Sequence, residues 1–203
     1  MIAIVDYDIG NLSAVSNMIR YLGGNSQITR KSSDLENAEK IILPGNGAFD
    51  ACVRNLRATG MLPTLERRVL IDKVPLLGIC VGAQMLGETS EEGVEKGLGW
   101  LDMRVRKFPK ITGLPLPHMG WSMVSTKVQS PIVFDQMADD TRFYFVHSYY
   151  MDPKRSEDIL LEASYGVKFA AAVGRDNIIG VQFHPEKSHR FGKQMLARFL
   201  EWR

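Results

Sequence analysis

The stretch Val74-Pro75-Leu76-Leu77-Gly78-Ile79-Cys80-Val81-Gly82-Ala83-Gln84 decides the fold class. Its first part, up to Ile79, is an apolar run of the length of a buried parallel strand. It runs straight into Gly78-Ile79-Cys80-Val81-Gly82, the G-x-S-x-G form of a nucleophile elbow with sulfur in place of the hydroxyl. That form needs a strand, a sharp turn and a helix. Both glycines then sit where a side chain would strike neighbouring strands or block the nucleophile.

Working towards the N-terminus, the same alternation recurs. Ile2-Ala3-Ile4-Val5 reads as a buried strand, followed by a helical stripe of Leu12, Val15, Met18, Ile19 and Leu22 closed by Gly23-Gly24. Lys40-Ile41-Ile42-Leu43 reads as another strand and stops at Pro44-Gly45-Asn46-Gly47. Phe49, Cys52, Val53 and Leu56 form the next stripe, with Gly60 as its stop, and Pro63 opens a further helix carrying Leu65, Val69 and Leu70. Strands alternating with helices predict an α/β fold with a mostly parallel central sheet flanked by helices.

Towards the C-terminus the pattern changes. Residues 100–105, 119–124 and 143–150 read as strands around a proline-rich stretch at 109–117, and 159–163, 169–173 and 178–183 follow at close spacing. Antiparallel additions to the sheet edge are expected, closed by a helix carrying Met195, Leu196, Phe199 and Leu200. No linker or repeat interrupts the chain, so residues 1–203 are expected to form one domain.

Composition narrows the function. Of 203 residues 45% are hydrophobic and 24% charged, which argues against disorder and coiled coil. Lys plus Arg number 25 against 23 Asp plus Glu, a net charge of +2 that is too balanced for a nucleic-acid or membrane-surface protein. Too few apolar residues precede Asp6 for a signal peptide or a membrane span, so a cytoplasmic location with reduced Cys52 and Cys80 is expected.

The elbow places Cys80 at a helix start, where free N–H groups and the helix dipole favour thiolate, and offers the Val81 N–H to an oxyanion. Cys52, on an apolar stripe without flanking glycines, reads as core. Among the four histidines, His184 ends the run Gly180-Val181-Gln182-Phe183 and is followed by Pro185-Glu186. In an extended segment residues i and i+2 share a side, and Pro185 disfavours helix, so His184 and Glu186 are expected to meet. Cys80, His184 and Glu186 then form a nucleophile, a base and an orienting carboxylate. His189 lies in a polar, cationic stretch that reads as solvated. No histidine or cysteine spacing fits a metal site.

The motifs Gly78-to-Gln84 and Phe183-His184-Pro185-Glu186 resemble the class I (triad) glutamine amidotransferases. The resemblance spans essentially the whole chain. It takes in Asp6-Tyr7, Leu43-Pro44-Gly45, Pro117-His118-Met119-Gly120-Trp121 and Phe143 to Tyr149. It implies a flavodoxin-like fold and a triad of Cys80, His184 and Glu186. Backbone N–H groups of Asn46 and Val81 would form the oxyanion hole, and Gly45, Gly47, Gln84, His147, Ser148 and Tyr149 would hold glutamine. No cofactor is implied. The implied partner is a separate cyclase subunit of (β/α)8 fold, which would use the ammonia in histidine synthesis. A paralogous role in amidating a nucleotide sugar is the alternative. A scaffold that has lost activity, or a thiol peptidase or esterase on a similar sheet, would fit less of the sequence. Asn46 stands where the family carries a small apolar residue, Val81 and Ala83 where Leu and Met are common, and Asp8 where glycine is usual. Of these, Asn46 bears most directly on the chemistry, because its side chain can bond to nearby backbone.

Overall fold

The structure, a computed structural model, describes residues 1–127, 132–134 and 137–202. Strand β1 (Ile2–Val5) is buried along its whole length, as expected of a parallel strand covered on both faces. Helix α1 (Leu12–Tyr21) packs Val15 and Ile19 inward, and Gly23, at φ +81°, closes it. Strand β2 (Ser26–Thr29) and the short helix α2 (Ser32–Glu36) come next. β2 is an edge strand that buries only Thr29, so it carries no apolar run and has no signature in the sequence.

Strand β3 (Lys40–Gly45) extends through Pro44 into the loop before helix α3 (Phe49–Ala58), which buries Phe49, Cys52, Val53 and Leu56. Helix α4 (Leu62–Glu66) continues into a π-type turn at Arg67–Ile71. Strand β4 (Leu76–Cys80) is wholly buried and leads into helix α5 (Val81–Gln84), a single turn. The second half supplies β5 (Thr89–Ser90), β6 (Met103–Lys107), β7 (His118–Thr126), β8 (Arg142–His147), β9 (Tyr149–Pro153), β10 (Ile159–Tyr165), β11 (Val167–Arg175), β12 (Ile178–Val181) and helix α6 (His189–Glu201).

The sheet runs in the order β2-β1-β3-β4-β12-β11-β10-β7-β8. The pairs from β2 to β12 are parallel and those from β12 to β8 antiparallel, while β9 bridges β11 and β6. The predicted α/β class with antiparallel additions is therefore what the chain adopts. The single strand expected over 143–150 is instead two. His147 pairs with His118 on β7, whereas Tyr149 pairs with Lys107 on β6, so the chain changes partners at Ser148.

Register places the chemistry. β4 lies between β3 and β12, with Gly45 opposite Cys80 on one side and Val181 opposite Ile79 on the other. The loop after β3 and the segment after β12 therefore flank the end of β4, as ligand sites do at the carboxyl ends of parallel strands. Among the described residues no helix is long and apolar enough to cross a membrane.

Candidate active site

Cys80 adopts φ 54°, ψ −114°, a region that non-glycine residues avoid, and persists there because the elbow is packed on every side. A Cβ on Gly82 would lie 2.0 Å from the Leu43 carbonyl oxygen, and one on Gly78 would lie 2.8 Å from Ala83 Cα. A Cβ on Gly45 would meet the Gly82 nitrogen at 2.3 Å. Gly45, expected to hold substrate, thus supports the elbow from beneath. The Val81 N–H opens α5 and has no acceptor within the helix, which leaves it free for a ligand.

His184 sits just past β12 and is buried. The chain there does not stay extended: Pro185–Lys187 forms one 3-10 turn with His184 at its cap, and Pro185 occupies the first position that tolerates it. His184 and Glu186 still meet, with Nδ1 2.9 Å from Oε1. That contact assigns the Nδ1 proton to the carboxylate and turns Nε2 towards the sulfur. Nε2 itself is buried and has no hydrogen-bond partner among the described residues. Burial works against a charged imidazole here, but Cys80 and Glu186 together outweigh it and raise the His184 pKa. Cys52 is the opposite case: buried on α3, its thiol is pushed up to about 12 by desolvation, which disfavours a thiolate there.

A cleft of about 410 Å³ opens over the sulfur, lined by Cys80, Val81, Gln84, His184 and the loop residues Asn46 and Gly47. His147, Ser148 and Tyr149 form its far wall, at the junction where β8 passes into β9. A thiol, an imidazole oriented by a carboxylate, and a free N–H in one cleft make up the parts of an acyl-transfer site.

The family model for glutamine amidotransferase class-I matches residues 3–202. The chain belongs to the class-I glutamine amidotransferases. It is 49% identical to imidazole glycerol phosphate synthase subunit HisH 2 of Pseudomonas aeruginosa, over 99% of both chains. It is 47% identical to subunit HisH of Bdellovibrio bacteriovorus, over 99% of this chain and 100% of that one. A solved glutamine amidotransferase shares the fold at TM-score 0.74 and 21% identity, covering 98% of this chain and 97% of that one.

In this class-I glutamine amidotransferase the loop after β3 is held from below. The Tyr7 hydroxyl donates to the Pro44 carbonyl, and the Cys52 thiol donates to the Asn46 carbonyl at 3.5 Å. With the Asn46 carbonyl turned towards α3, the Gly47 N–H of the same peptide plane points the other way. The Asn46 side chain makes no hydrogen bond among the described residues, so it does not tie up the loop backbone as its type allows.

Four residues of the cleft have no counterpart among the expected ones: Pro117 and Val146, which add apolar wall, and the charged Glu92 and Lys187. Glu92 lines it, and its Oε2 accepts the Phe49 N–H at 3.0 Å. Its loop is pinned by Asp50, whose carboxylate accepts the N–H groups of Val94 and Glu95. Burial pushes the Glu92 carboxyl up, against the Phe49 N–H. Lys187 also reaches the cleft, from the turn after His184. Glu92 lies in no motif and only the tertiary path of its loop brings it in, whereas Lys187 ends the turn that directly follows His184. His189, expected to be solvated, is exposed but stacks on Trp121, with ring centroids 5.6 Å apart and planes 12° apart.

Proposed function

We propose that this amidotransferase is the glutaminase subunit of an imidazole glycerol phosphate synthase, hydrolysing glutamine to glutamate and ammonia for a separate cyclase. The observation that carries the chemistry is the assembly of Cys80, the His184–Glu186 pair and the Val81 N–H around one cleft. The near full-length relatives named as HisH subunits support the pathway and the partner.

In this reading Cys80 Sγ attacks the side-chain amide carbon of glutamine while its proton passes to His184 Nε2. The oxyanion that forms lies against the Val81 N–H and a loop N–H at Asn46–Gly47. His184 returns the proton to the departing nitrogen, the C–N bond breaks, and ammonia leaves a thioester on Cys80. Water then gives a proton to His184 and its oxygen to the carbonyl carbon. Collapse of that second intermediate breaks the C–S bond, releases glutamate and returns the proton to sulfur. Glu186 keeps the imidazole in the tautomer that both halves need. Gln84 offers its side-chain oxygen to the substrate, since its nitrogen donates to the Tyr149 carbonyl and Gln182. Glu92 supplies negative charge for the α-ammonium group, and the Ser148–Tyr149 wall closes the other side.

The cyclase would dock beside the cleft on β7. Met119 and Met123 are each 61% exposed and Trp121 42%, at alternate positions of one strand, which makes an apolar face beyond what isolated surface residues give.

A glutamine-mimicking diazoketone should label Cys80 and spare Cys52, and Cys80→Ala should abolish both labelling and glutamate release. Glutamate production should be slow for the isolated chain and rise strongly with a histidine-pathway cyclase carrying its ribonucleotide ligand. Labelling that survives Cys80→Ala would overturn the nucleophile. Stimulation by a sugar-pathway partner alone would move the chain to the paralogous role and leave the chemistry in place.

A further inference from the structure

Gln182 is a fully buried polar side chain that neither half of the reaction requires. It sits one residue past the last registered pair of β12 with β4, Val181 opposite Ile79, and therefore beside Cys80. Its Nε2 lies 3.8 Å from the Cys80 sulfur, and its Oε1 accepts from Gln84 Nε2 at 3.0 Å.

The direction of this amide follows from its surroundings. The Tyr149 carbonyl can only accept hydrogen bonds, and it does so from His147 Nδ1 at 2.7 Å and from Gln84 at 3.1 Å. Gln84 must therefore turn its NH₂ group inward, and Gln182 must turn its oxygen to meet it. Only the Gln182 nitrogen is left to face the sulfur. Flipping either amide would set donor against donor or acceptor against acceptor in a region closed to water.

We propose that Gln182 is a further catalytic residue of this site, donating a hydrogen bond to the Cys80 sulfur that favours the thiolate and aims it. Gln84 and the Tyr149 carbonyl fix the direction of that donor. The proposal rests on the reading of Cys80 as the nucleophile. It accounts for a need that the elbow leaves open, because a one-turn α5 carries little of the macrodipole that a full helix brings to such a cysteine. The other titratable groups around the sulfur are His184 with Glu186 behind it, Glu92, Lys187, His147 and Tyr149 on the cleft walls, and Tyr7 and Cys52 on the buried side. None of them is altered by the substitutions that test the donor.

Gln182→Glu keeps the shape and the acceptor for Gln84 but replaces the donor at sulfur with a carboxylate oxygen. Gln182→Met keeps the bulk and removes both polar atoms. The measurement is the rate of iodoacetamide labelling of Cys80 against pH, with the site read by peptide mass spectrometry. Loss of a charge-assisted hydrogen bond should move the labelling midpoint upward by about one pH unit or more in both variants. The shift should be larger for Gln182→Glu, and kcat should fall more than KM for glutamine rises. Folded variants with the wild-type midpoint would reduce Gln182 to a packing residue. Should neither variant fold, Gln84→Met decides: it unpins the Gln182 amide while leaving residue 182 itself in place, and the same midpoint must rise. Labelling needs no turnover, so an unshifted midpoint refutes the donor alone. A wild-type complex that releases no glutamate refutes the glutaminase reading instead.

Discussion

Three buried histidines stand within one small region and titrate in opposite directions. His118 and His147 share a bond of 2.9 Å between Nδ1 and Nε2, and burial lowers their pKa values from 6.5 to about 4 and about 3. His184 is also buried, yet Cys80 and Glu186 raise it. Below pH 6.5 the unfolded chain takes up protons that the buried pair refuses, so stability should fall as pH drops from 6.5 towards about 4. The His184 contribution has the reverse sign: it is complete below the unfolded value and is lost as pH climbs through the raised one. Thermal melts across this range should show an acid limb that is shallower in His147→Gln than in wild type. Matching limbs would mean that the pair is not what titrates. In catalysis His184→Ala should cost about 10²–10⁴ in kcat, and Glu186→Gln less, because orientation is lost only in part. Steady-state glutamate release on the stimulated complex reads both.

At the scale of elements, the elbow is a contact between three backbones. β3, β4 and α5 approach so closely that glycine is the only residue that fits between them, and the strained Cys80 conformation depends on that contact. Gly82→Ala should destabilise the chain by more than about 3 kcal/mol in urea melts, because the obstacle is the Leu43 carbonyl rather than a movable side chain. Gly47→Ala is the comparison. At φ +91° with nothing within 4 Å of the added Cβ, it should cost only about 1–2 kcal/mol of backbone strain. Equal losses would show that strain, not overlap, dominates the elbow.

At the scale of the whole molecule the question is where the proposed cyclase would dock. The cleft opens beside β7, whose outer face presents Met119, Trp121 and Met123. Met123→Lys should weaken association with a cyclase about tenfold or more, since a charge on that face must be desolvated on docking. Titration calorimetry with the cyclase measures it, and unchanged affinity would place the interface elsewhere.

Much of the fold and of the site is legible in the order of the residues. The alternation of buried strands and helix stripes and the glycine-bracketed Cys80 are local patterns that sterics and periodicity suffice to read. His184 and Glu186, by contrast, meet through a 3-10 turn and not the extended segment their spacing suggested. Edge strand β2 is not legible, because an exposed edge buries one residue and leaves no apolar run. Nor is the break at Ser148, which comes from a change of pairing partner that no property of residues 143–150 encodes. The sequence by itself determined the class of sheet, and it singled out Cys80 and His184 as the proposed nucleophile and base. Only the tertiary structure decided that Gly45 props the elbow and that Glu92 enters the cleft. It alone turned the Gln182 amide towards sulfur. Those outcomes depend on contacts between residues far apart along the chain, and such contacts exist only once β12 has inserted beside β4 and the β8–β9 junction has closed over the cleft.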